Sequence, residues 1–154
     1  MRIYFAAPFT RKAKPHSDSA YGWVSQDYVE WLDSLVSELE KEGYEVHLPH
    51  RDDHLYGRVF PEIGELCKRQ YEKITRETDV LLAYLDDSQG VAIEIGYAIS
   101  HRIPVIIIKR PEERITSIAY GLNSVSPCEI VEFEDESELI EKLKEKLSKL
   151  KRAR

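Results

Sequence analysis

Apolar positions cluster most densely between Asp79 and Lys109. Val-Leu-Leu-Ala-Tyr-Leu is followed by the polar Asp-Asp-Ser-Gln-Gly, then Val-Ala-Ile-Glu-Ile-Gly-Tyr-Ala-Ile-Ser, and after a short turn Pro-Val-Ile-Ile-Ile-Lys. The two outer runs lack the polar–apolar alternation of a half-solvated sheet, so they read as strands buried on both faces. Joined by a helix, they form a parallel β-α-β unit. Glu94 is the one charged residue inside the apolar start of that helix. A carboxylate there is costly unless it has a partner or a task.

The same reading organises the rest of the chain. Arg2 to Ala6 is a first strand, stopped by Pro8. Residues 7 to 24 form a long polar connection with Thr10, Arg11, Lys12, Lys14, His16, Ser17 and Ser19; a connection of that length in a small protein is commonly functional. Ser25 is placed as the N-cap of a helix whose apolar face is Val29, Leu32, Leu35, Val36 and Leu39, with Gly43 closing it. Tyr44 to Leu48 reads as a second strand and Pro49 to His54 as a polar loop. Pro61 then suits the first turn of a helix with Ile63, Leu66, Cys67, Tyr71 and Ile74 on one face. After the central unit come a short helix over Pro111 to Leu122 and a fifth strand over Glu129 to Phe133. A last helix follows, opened by an Asp135–Glu138 capping box, with the stripe Leu139, Ile140, Leu143, Leu147 and Leu150.

Five strands alternating with helices predict an α/β fold: one doubly wound parallel sheet with helices on both faces, in a single domain over residues 1–154. In such sheets ligands bind beyond the carboxyl ends of the strands, where the strand order reverses. That expectation gathers Ala7 to Arg11, His50 to His54, Asp86 to Glu94 and the region of Ser117 around one crevice. There is no glycine-rich dinucleotide fingerprint or Walker loop, which disfavours a dinucleotide oxidoreductase or an NTPase.

Composition narrows the classes further. With 42% hydrophobic and 32% charged residues the chain is a globular protein rather than a disordered one. Its net charge of -6 carries no basic stripe except the last residues, Lys149 to Arg154, so a nucleic-acid polymer is not an expected partner. No apolar run reaches the ~18 residues that cross a membrane, and Met1 leads straight into a strand, so a cytoplasmic location is expected. Cys67 and Cys128 have neither metal-ligand spacing nor a partner motif. His50, Asp52, Asp53 and His54 could be read as a metal cluster, but they fall in one loop with no further ligand implied. No metal and no cofactor are expected.

Glu94 is the leading chemical candidate. Gly90 lets a ligand approach the backbone, and the start of a helix favours an anion by about 0.3–1 kcal/mol, which would keep the carboxylate ionised as a nucleophile or base. The competing reading is a glutamate paired with an arginine or facing solvent. Thr10, Arg11 and Ser88 are polar groups able to donate hydrogen bonds, and Phe9 is an aromatic after a strand, a position that is often core.

Ile-Tyr-Phe-Ala-Ala-Pro-Phe at the start, Asp79 opening an apolar strand, and Gly-Val-Ala-Ile-Glu-Ile-Gly-Tyr-Ala before Pro-Val-Ile resemble the nucleoside 2-deoxyribosyltransferase family. That family includes the 2'-deoxynucleoside 5'-monophosphate N-hydrolases, and the likeness spans roughly residues 2 to 125. It implies that Glu94 attacks the anomeric carbon, that the base leaves, and that the glycosyl ester is resolved with retention by water or a second base. It also implies that Ser88, where the transferases carry an aspartate for the sugar 5'-hydroxyl, holds a 5'-phosphate. Ser117 would reach the phosphate of a neighbouring subunit, making the protein a homodimer or larger assembly acting on a small nucleoside or nucleoside monophosphate. His50 and Asp52 fall where the family places base-recognition groups, and Asp79 would hold the loop or sugar indirectly. Asp86 and Asp87 are expected to be solvated. The chain departs from the family at Tyr71, where members carry an aspartate near the leaving base. Either Tyr71 assists departure, or Asp52, Asp53 or a histidine of the 49–54 loop does, or the activity differs from the family's.

Overall fold

The computed structural model describes residues 1–16, 19–59 and 61–152. Its main sheet has five parallel strands: β1 (Arg2–Ala6), β4 (Glu45–His47), β5 (Val80–Tyr84), β6 (Val105–Lys109) and β7 (Cys128–Glu132). They are ordered β4-β1-β5-β6-β7. The order reverses between β1 and β5, the switch point of a doubly wound sheet. Every residue of β5 and β6 is buried, as their unbroken apolar runs require.

Alternate strand residues feed two separate cores. Ile3, Phe5, Leu82 and Ile106 pack on one face beneath Leu32, Leu35 and Leu39 of α1 (Gln26–Lys41) and Leu139, Leu143 and Leu147 of α5 (Glu136–Arg152). Tyr4, Ala6, Leu81 and Ile107 pack on the other, beneath Ile74 of α3 (Ile63–Glu77) and Val91, Ile95 and Ala98 of α4 (Gln89–Ser100). Local signals set the helix limits. The Ser25 hydroxyl accepts from the Tyr28 N–H. At the far end of α1, Gly43 has φ of +80°, its N–H donates to the Glu40 carbonyl and the Tyr44 N–H to that of Leu39, a Schellman closure that needs a residue without Cβ strain. Before α5, the Asp135 carboxylate accepts from the Glu138 N–H at 2.9 Å, while Glu138 caps the Glu134 N–H at 2.7 Å.

The connections differ most from the sequence-based expectation. Residues 7 to 24 contain an antiparallel hairpin, β2 (Ala13–His16) and β3 (Ser19–Val24); Ser17 lies outside the described residues. Lys–Pro–His and Tyr–Gly–Trp–Val are too short and mixed to announce strands on their own. The hairpin docks on a 3-10 turn at Leu55–Gly57, where a Cβ on Gly57 would stand 2.5 Å from the Gly22 carbonyl oxygen. Pro49–Asp52 is a short helix, α2, rather than loop. Residues 111–116 are not helical, and a 3-10 stretch covers Ser117–Ser124. On α3 only Leu66 and Ile74 of the expected face are buried, while Ile63, Cys67 and Tyr71 are exposed. Among the described residues no helix is long and apolar enough to cross a membrane.

Candidate active site

A cavity of about 760 Å³ opens at the carboxyl ends of β1 and β5. Ala7, Phe9, Thr10 and Arg11 reach it from the end of β1, and His50 and His54 from α2 and the turn after it. Ser88 lines it from the N-cap of α4 and Gly90 and Glu94 from α4 itself, so the structure brings eight of the expected residues, joined by His54, around one cavity. Four others lie elsewhere. Asp79 precedes β5 at the opposite end of the sheet, where it accepts from the Arg2 N–H at 2.7 Å and pairs with its guanidinium at 3.3 Å. Asp52 caps its own turn, accepting from the Leu48 N–H at 2.9 Å and from Arg51 Nε at 2.8 Å. Tyr71 lies edge-on to Tyr97 and His101, with ring centroids 5.1 and 5.9 Å away, and does not line the cavity. Ser117 is exposed at the start of its 3-10 stretch, outside the cavity of its own chain.

Glu94 is the sixth residue of α4, beyond the first turn in which the helix dipole acts. Its support comes from the sheet instead: the fully buried Tyr4 donates its hydroxyl to Glu94 Oε1 at 2.7 Å. Burial pushes the Glu94 carboxyl up to about 7, the Tyr4 hydrogen bond holds it down, and the Asp53 charge adds to the rise. The expectation of a fully ionised carboxylate is therefore corrected. Near neutrality Glu94 divides between its two forms, poised as a nucleophile or a proton carrier. Tyr4 in turn has its phenol raised well above its ordinary value, by burial and then by Glu94, so it stays a donor.

The base of the cavity next to Phe9 is neutral. Burial pushes His50 down to about 3 and His54 down to about 4. His50 Nε2 donates to the Pro8 carbonyl at 3.1 Å, which also accepts from the Tyr28 hydroxyl at 2.9 Å. His54 Nδ1 accepts from the Gly57 N–H at 3.2 Å. These bonds assign the proton to Nε2 in both rings. Phe9 packs edge-on against both imidazoles, at 5.6 and 4.6 Å. With Asp52 engaged by its own turn and Asp53 by His47, the four polar groups of this stretch do not converge as metal ligands.

The mouth is charged. Ser88 is the N-cap of α4, its hydroxyl accepting from the Val91 N–H. The preceding Asp86 and Asp87 both hold left-handed backbone, φ of +31° and +58°, a conformation aspartate tolerates better than most residues. Asp86 is buried rather than solvated and forms an ion pair with Lys12 Nζ at 2.6 Å; Arg11 Nη1 lies 3.4 Å from Asp87. A Cβ on Gly90 would meet only the Ser88 hydroxyl, at 3.9 Å, so that helical glycine leaves open space on the cavity side. Tyr4, Cys67, Gln70 and Tyr97 complete the site and were not singled out by sequence. Cys67 and Gln70 stand on α3 beside Tyr71, and only the packing of α3 on α4 tells a cavity-facing residue from its neighbour.

The family model described as nucleoside 2-deoxyribosyltransferase matches residues 3–148. Among solved structures, CMP N-glycosidase BcmB from Clostridium botulinum aligns with a TM-score of 0.68 at 22% identity, covering 94% of this chain and 98% of that one. BlsM aligns with a TM-score of 0.68 at 23% identity, covering 93% and 84%. The 2-deoxyribosyltransferase of Bacillus psychrosaccharolyticus aligns with a TM-score of 0.60 at 19% identity, covering 91% and 90%. At these identities the likeness establishes a common fold. No curated protein matches the chain in sequence.

Proposed function

Because the chain belongs to the nucleoside 2-deoxyribosyltransferase family, we propose that it cleaves the N-glycosidic bond of 2'-deoxynucleoside 5'-monophosphates with water as acceptor. The observation that carries this reading is the Glu94 carboxyl, held by Tyr4 in the wall of the cavity and poised near neutrality. In its ionised form Glu94 attacks the anomeric carbon as the bond to the base nitrogen breaks, and the base takes up a proton from solvent. Water then attacks the anomeric carbon of the glycosyl ester, the bond from that carbon to the Glu94 oxygen breaks, and the water's proton passes to the freed carboxylate as the sugar phosphate leaves. The tyrosine hydroxyl stabilises the carboxylate before attack and again when it departs.

The phosphate end of the substrate is assigned to the mouth. Ser88, the free space beside Gly90 and the start of α4 offer a hydroxyl and backbone donors there. Arg11 stands at the rim and would exchange its exposed Asp87 partner for phosphate oxygens. A monophosphate substrate is also what the name of the Clostridium botulinum CMP N-glycosidase states for that protein. The second reading is deoxyribosyl transfer between bases, the activity named for the Bacillus psychrosaccharolyticus structure, with a free base replacing water in the second step. Neutral His50 and His54 beside Phe9 would suit an uncharged base in either case.

Incubation with dGMP, dCMP, CMP and free deoxynucleosides, with and without an acceptor base, separates these readings by chromatography. Free base released from deoxynucleoside monophosphates is the expected result, and base exchange from unphosphorylated nucleosides would sink the hydrolase reading. The proposal extends to a homodimer in which Ser117 reaches the partner's phosphate site. Ile118 beside it and Ile93 on α4 are 71% and 56% exposed, apolar surface that a second copy would cover. Sedimentation at assay concentrations tests this, and a fully active monomer would contradict it.

A further inference from the structure

Tyr4, which holds Glu94, is itself held from behind. Tyr4 and His47 are register partners on the adjacent parallel strands β1 and β4, so their side chains leave the sheet on the same face. Their rings meet at 5.4 Å and 35°. The imidazole runs on to Asp53, with Nε2 3.2 Å from Oδ2, while its Nδ1 lies 3.6 Å from Asp52. Asp53 is only 10% exposed, and its other oxygen is 4.0 Å from Arg69 Nη2. Neither His47 nor Asp53 lines the cavity. A near-buried carboxylate set behind the reacting group is costly to keep, and its hydrogen bond to His47 directs that cost toward Tyr4.

We propose that His47 and Asp53 are positioning residues for the reaction at Glu94, acting through Tyr4. The imidazole locks the phenol ring so that its hydroxyl stays on Glu94, and the Asp53 charge opposes ionisation of the phenol–carboxyl pair. The inference rests on Glu94 as the reacting group. The surroundings leave Asp53 as the charge that matters. Tyr4 faces Glu94 from β1, neutral His50 and His54 from the α2 region, Cys67 from α3 and Tyr97 from α4 itself. At the rim Arg11 pairs with Asp87 and lies 3.9 Å from Asp86, which Lys12 holds, and Arg69 stands 4.0 Å from Asp53. Asp53 raises the proton affinity of both Tyr4 and Glu94.

The test reads Glu94 without relying on turnover. Infrared difference spectra of the substrate-free protein, with the Glu94→Gln spectrum subtracted, isolate the Glu94 carboxyl band across pH. Asp53→Asn should lower its titration midpoint by roughly 0.5–1 pH unit. His47→Phe, which keeps a ring against Tyr4 but removes the hydrogen bond to Asp53, should raise it. The acid limb of kcat/KM should move in the same two directions. Variants that change the melting temperature alone, with the midpoint fixed, would overturn the proposal and leave the pair a structural ion pair. If Asp53→Asn does not fold, the His47→Phe shift decides by itself. A carboxyl midpoint that moves while the kcat/KM limb stays put would uphold the coupling and instead remove Glu94 as nucleophile.

Discussion

Glutamine in place of Glu94 will stop base release, by about four orders of magnitude or more, and will stabilise the protein in alkaline solution. The first effect follows from losing the attacking oxygen while the amide keeps the shape and a hydrogen bond to Tyr4. The second follows from proton linkage. The Glu94 carboxyl ordinarily titrates near 4.5 and in the fold is pushed up to about 7, so the folded state holds its proton more tightly than the unfolded chain. Its contribution to stability is fully present below about pH 4.5 and is lost as pH rises through about 7. At ~1.4 kcal/mol per tenfold change in proton affinity, the ionised group costs about 3 kcal/mol at pH 8 and above. Glutamine carries no charge to bury. Glu94→Gln should therefore melt on the order of 5–10 °C above the wild type at pH 8 to 9, and the gap should close by pH 4.5. Thermal denaturation at the two pH values and a single assay check both halves. Retained turnover removes Glu94 from the chemistry, and equal stability at pH 8 contradicts the raised Glu94 carboxyl.

A second large effect is expected at Ser88. Aspartate is as good an N-cap as serine, so Ser88→Asp should leave α4 and the melting temperature nearly unchanged. Its charge would face the incoming phosphate at the mouth. Two unit charges about 4–5 Å apart near a protein surface repel by roughly 3–4 kcal/mol, which puts the loss of kcat/KM for monophosphates at about 100- to 1000-fold. Free deoxynucleosides, lacking that charge, should be processed no worse. The ratio of the two efficiencies is the measurement. An unchanged ratio would show that Ser88 does not meet the phosphate, and would move that role away from the mouth.

Much of the frame was legible because its signals are local. The unbroken apolar runs at Val80–Tyr84 and Val105–Lys109 fix a sheet buried on both faces, and Gly43 and Ser25 punctuate α1 through backbone and capping geometry that a short window contains. Residues at the site were legible only where position along one element decides them. Glu94 stands out as a lone charge in an apolar helix. Tyr4 does not, because an aromatic in a buried strand is ordinary, and its bond to Glu94 joins residues ninety positions apart. Tyr71 illustrates the limit of periodicity on α3. The stripe through Leu66 and Ile74 reaches the core, Cys67 and Gln70 turn to the cavity, and Tyr71 falls just past both. Asp52 and Asp53 are adjacent and chemically identical, yet one caps its own turn and the other bonds His47. Only tertiary contacts divide them.

The mounting of Ser88 and Glu94 on a single helix makes α4 a gauge. Six residues separate them, about 9 Å of rigid axis at 1.5 Å per residue. A loop could absorb an inserted residue by bowing outward; a helix cannot. One extra residue between these positions would turn Ser88 and Glu94 about 100° out of their mutual alignment, while every hydrogen bond of the helix re-formed. The protein would stay folded and lose its reach. In this architecture the tolerance for insertions ends at Ser88 and resumes only beyond the end of α4 at Ser100, however variable the hairpin and turns around the mouth become.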